Sequence, residues 1–63
     1  MVHENIVKEY TSRNTKWNLL ERARLDCENP FGVVLIHIRD CYGLTKTEGW
    51  DTAMAICEYY GLT

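Results

Sequence analysis

The chain has 63 residues, so it holds one domain at most. Apolar residues make up 46% and charged residues 25%, which excludes an intrinsically disordered chain. The net charge of -2 is split. Residues 8–24 carry Lys8, Arg13, Lys16, Arg22 and Arg24 against Glu9 and Glu21. Residues 25–63 carry Arg39 and Lys46 against Asp26, Glu28, Asp40, Glu48, Asp51 and Glu58. A basic footprint for nucleic acid is therefore confined to the first part of the chain.

The first predicted element is a long helix over residues 5–27. Ile6, Tyr10, Trp17, Leu20 and Cys27 recur at helical spacing, with Leu19 and Ala23 beside them. Arg13 and Arg24 fall in the same stripe. Their stems either snorkel over the apolar face or meet acidic groups on a neighbour. The stretch from Thr11 to Thr15 is poor in helix formers, so a break or fraying is expected there.

The second predicted helix spans 30–42. Asn29 is a good N-cap, Pro30 suits the first turn, and Gly43 supplies a stop. Val33, Val34, Ile36 and Ile38 would suit a strand, but the length and the capping signals favour a helix. It is apolar nearly all round, so it is expected at the centre. The third helix, 46–60, opens on the capping box Thr45-Lys46-Thr47-Glu48. Its apolar face is Trp50, Ala53, Cys57 and Tyr60. The short Gly43-Leu44-Thr45 link makes helices two and three a hairpin.

The three cysteines, Cys27, Cys41 and Cys57, are odd in number and widely spaced, which argues against a disulfide scaffold. The first ten residues lack the apolar stretch of a secretory signal. A cytoplasmic protein with reduced thiols is expected. His37 and Cys41, with Cys57 and Cys27, could in principle supply a zinc site or a thiolate–imidazole pair. The spacing matches no known zinc motif, and core cysteines explain it more simply. No catalytic residues, cofactor or metal are therefore expected.

The two-helix hairpin also suggests a helix-turn-helix nucleic-acid binder. Glu48, Asp51 and Glu58 on its second helix would repel phosphates, so this stands as the alternative. The leading expectation is an all-α bundle of three helices that forms a homodimer, each long first helix covering its partner's hairpin. The partner-binding residues would be Tyr10, Arg13, Lys16, Trp17, Leu20 and Arg24.

The stretch from Lys16 through Trp17 and Leu20 to Pro30, Phe31 and Gly32, followed by Leu44-Thr45-Lys46-Thr47-Glu48-Gly49-Trp50, resembles a phage family. It is similar to the short early proteins encoded between the exonuclease and excisionase genes of lambda-like bacteriophages. The likeness spans the whole chain in size and texture. It implies a non-enzymatic regulator in the host cytoplasm that influences the lysis or lysogeny choice, or host physiology, by contact with a host or phage protein. It assigns no role to any single residue.

Overall fold

Four helices, not three, build the described residues. The computed structural model describes residues 1–62 and gives α1 (Glu4–Arg13), α2 (Lys16–Leu25), α3 (Pro30–Tyr42) and α4 (Lys46–Tyr59). The long first helix expected over 5–27 is two separate helices.

The cause of the break is local side-chain chemistry. The Thr11 hydroxyl donates to the Val7 carbonyl and the Ser12 hydroxyl to the Glu9 carbonyl. Such bonds compete with the helical ladder. Asn14 is extended, at φ -124° and ψ 118°, and donates its amide to the Tyr10 carbonyl. Thr15 then starts α2 by accepting from the Asn18 N–H at 3.0 Å.

The break changes which residues face inward. In one continuous helix Leu19 would lie about 220° round the axis from Ile6. With the chain re-aimed at Asn14, Ile6, Tyr10, Leu19 and Ala23 all enter one core. Trp17 is turned into solvent, and Leu20 is half-buried at the edge.

The expected central helix and hairpin are present. Asn29 caps α3 by accepting from the Gly32 N–H at 2.9 Å, and Gly43 closes it at φ 63°. The Thr45 and Glu48 capping box is complete at the start of α4. Val34, Ile38, Ala53 and Ile56 are fully enclosed. Burying one such Val or Ile stabilises by about 1.5–3 kcal/mol over leaving it exposed. At Gly49 an added Cβ would lie 2.8 Å from Cγ of Arg39, so glycine allows α3 and α4 to approach there. On α4, Ala53 and Cys57, and Tyr60 at its end, are buried as expected, with Thr52 and Ile56 beside them, while Trp50 is exposed. α3 is likewise not covered all round, since Ile36 is exposed.

α3 packs against both α4 and α2, and α1 packs against α4. α1 thus covers its own hairpin, and the overhang that motivated exchange with a partner is absent. The exposed surface is 4327 Å². A compact monomer of this mass should show about 4,200 Å², so the chain closes its own core. No helix is long and apolar enough to cross a membrane among the described residues.

Candidate interaction surface

Two exposed surfaces carry aromatic side chains. The first is the outer face of α2. Trp17 is 74% exposed. With Leu20, Glu21 and Arg24 it lines a shallow hollow of about 140 Å³. These positions recur at three- and four-residue intervals, so one helix face gathers them. Arg24 Nη2 sits 3.0 Å from Glu21 Oε1, which holds the guanidinium along that face. Lys16, Arg22 and Leu25 are also exposed on this helix.

Of the six residues expected to contact a partner, the structure brings Trp17, Leu20 and Arg24 together. Arg13 and Lys16 are exposed on either side of the α1–α2 break. Tyr10 is excluded from this surface because it is a core residue, 6% exposed, with its ring 6.5 Å from that of His37. Burial first, then the neighbouring Tyr60 and the cysteines, pushes its phenol up to about 12.

The second surface lies on α4. Trp50, Met54 and Val2 line a depression with Asp51 and Glu58. The Phe31 ring meets Trp50 edge-on at 4.7 Å, which steadies the indole. Sequence reading assigned Trp50 to the core and so missed this ridge. The pair of exposed positions 50 and 54, one helical turn apart, was the available signal.

The start of the chain is fastened beside this ridge. His3 Nε2 lies 2.9 Å from Glu48 Oε2, and the His3 backbone N–H donates to the buried Thr52 hydroxyl at 3.1 Å. The His3 contact, followed by the Thr45 bonds of the capping box, holds the Glu48 carboxyl below the ordinary glutamate range.

The cysteines weighed for metal or thiol chemistry differ in exposure. Cys27 and Cys41 are exposed, and Cys57 is buried, which raises its thiol pKa. Among the described residues no three His, Cys, Asp or Glu side chains cluster to hold a metal ion. No family model, curated protein or solved structure matches this chain.

Proposed function

We propose that this is a non-enzymatic regulatory protein that acts by protein–protein contact through the outer face of α2. One observation carries the reading: Trp17, the largest apolar side chain of α2, stands in water at 74% exposure beside a hollow edged by Arg24. Tryptophan and arginine are the residues most enriched among energetically dominant interface positions. Leaving an indole in solvent forgoes the burial that a chain this small needs, so a use outside the core accounts for it. The partner offers a seat to the indole and a counterpart to the Arg24 guanidinium. In the setting that the phage resemblance implies, such contact would bias the lysis or lysogeny choice or alter host physiology.

The test is capture of proteins from bacterial lysate by immobilised protein, in wild-type, Trp17→Ala and Arg13→Glu/Arg24→Glu forms. Retention that both variants lose supports the reading. Retention indifferent to both removes α2 as the contact surface.

A second reading, nucleic-acid binding, has its own observation. Lys8, Arg13, Lys16, Arg22 and Arg24 are all exposed on α1 and α2. Salt-sensitive retention of random-sequence DNA or RNA in a gel shift, lost when Arg13 and Arg24 are reversed, would favour it.

A further inference from the structure

We propose that the seat for Trp17 is a second copy of this chain, with α2 pairing antiparallel to α2 across a two-fold axis that passes between residues 20 and 21. This rests on the reading of the α2 face as a contact surface and names its partner.

The argument is the self-complementarity of the face. An axis between Leu20 and Glu21 pairs positions whose numbers mirror about it. Trp17 then lies opposite the partner's Arg24, and Arg24 opposite the partner's Trp17. A guanidinium over an indole face is attracted by the ring quadrupole. The Glu21 carboxylate already holds Arg24 at 3.0 Å and so presents the guanidinium on this face. Leu20 meets the aliphatic part of the partner's Glu21 close to the axis.

The competing arrangements are less favourable. A parallel pair sets Arg24 against Arg24, like charge on like. Pairing two α4 ridges through Trp50 and Met54 sets the acidic rims of Asp51 and Glu58 against each other. Of these arrangements, only the antiparallel α2 pair sets each Trp17 against an Arg24. The interface is small, since α2 has 10 residues. It falls near or below about 1,200 Å², the class of transient contacts, so the dimer dissociates on dilution.

Sedimentation over a dilution series from about 1 mM to about 1 µM tests this. The expected result is a monomer–dimer equilibrium that Trp17→Ala weakens about tenfold or more while helical content is unchanged. The geometry is tested in a Cys27→Ser/Cys41→Ser background. Leu20→Cys, next to the axis, should cross-link to itself on oxidation. Arg24→Cys should not, because its two copies stand about 10 Å apart along the helices, beyond disulfide reach.

A wild-type monomer at the highest concentration overturns the pairing. So does a dimer indifferent to Trp17→Ala, or one in which Arg24→Cys cross-links and Leu20→Cys does not. A monomer that still captures another protein in a Trp17-dependent way sinks the self-pairing and leaves the α2 contact reading standing. A monomer that captures nothing through α2 ends both.

Discussion

The Tyr60 hydroxyl donates to the backbone carbonyl of Asn14, 46 residues earlier in the chain. The end of α4 is thereby tied to the point where α1 gives way to α2. Asn14 has left helical geometry, so its carbonyl has no partner in a helical ladder. The Tyr60 ring is itself buried, 8% exposed. Tertiary structure thus stabilises the break that local sequence begins. Tyr60→Phe should keep the ring's packing and lose the hydrogen bond, costing about 1–2 kcal/mol. Urea denaturation measures the loss. An unchanged midpoint would show that water serves Asn14 equally well.

Cys27 holds a conformation that suits glycine. Its φ is 54°, where it closes α2 with the Glu28 N–H on the Ala23 carbonyl and its own N–H on the Arg24 carbonyl. α4 ends in the same pattern with Gly61 at φ 73°. The left-handed region costs a side chain about 1 kcal/mol, so Cys27→Gly should raise stability by about that much. A lower melting temperature would show that the Cys27 side chain earns more in contacts than its backbone loses.

Acid should loosen the joint between the chain start and α4. The folded-state pKa of Glu48 is lowered, first by the His3 contact and then by the Thr45 bonds. Its contribution is therefore fully present above the unfolded glutamate pKa. It is lost as pH falls through the lower, folded value. Denaturation midpoints should drop across that acid interval in the wild type and vary less in Glu48→Gln. Equal slopes for both would assign the acid sensitivity to other carboxylates.

Trp17→Ala tests how the core was divided. A buried indole would cost about 3–5 kcal/mol on truncation. With Trp17 in water the expected change at low protein concentration is within about 0.5 kcal/mol. A loss of several kcal/mol would return Trp17 to the core.

The hairpin of α3 and α4 was legible because its signals are local. Asn29, Pro30 and Gly43 bracket one helix, and Thr45 with Glu48 starts the next. The division of the first segment was not, although the weak stretch Thr11–Thr15 marked its place. Tyr10 and Trp17 are seven residues apart and share a stripe in any unbroken helix. Nothing in that spacing reveals that the break turns α2 so that Leu19 and Ala23 point inward. The role of Trp17 followed from that phase, while that of Trp50 followed from which face α4 turns to the core. His3 on Thr52 is likewise a long-range contact with no sequence signature. Trp17, Leu20 and Arg24 lie together because they sit on one turn-spaced face whichever way the helix is rotated.

Solvent access to the Trp17 indole is the most direct measurement. In a Trp50→Phe background Trp17 is the only tryptophan, and its fluorescence at high dilution reports one environment. A self-closed four-helix core predicts red-shifted emission that acrylamide quenches freely. Blue-shifted emission shielded from acrylamide would contradict it.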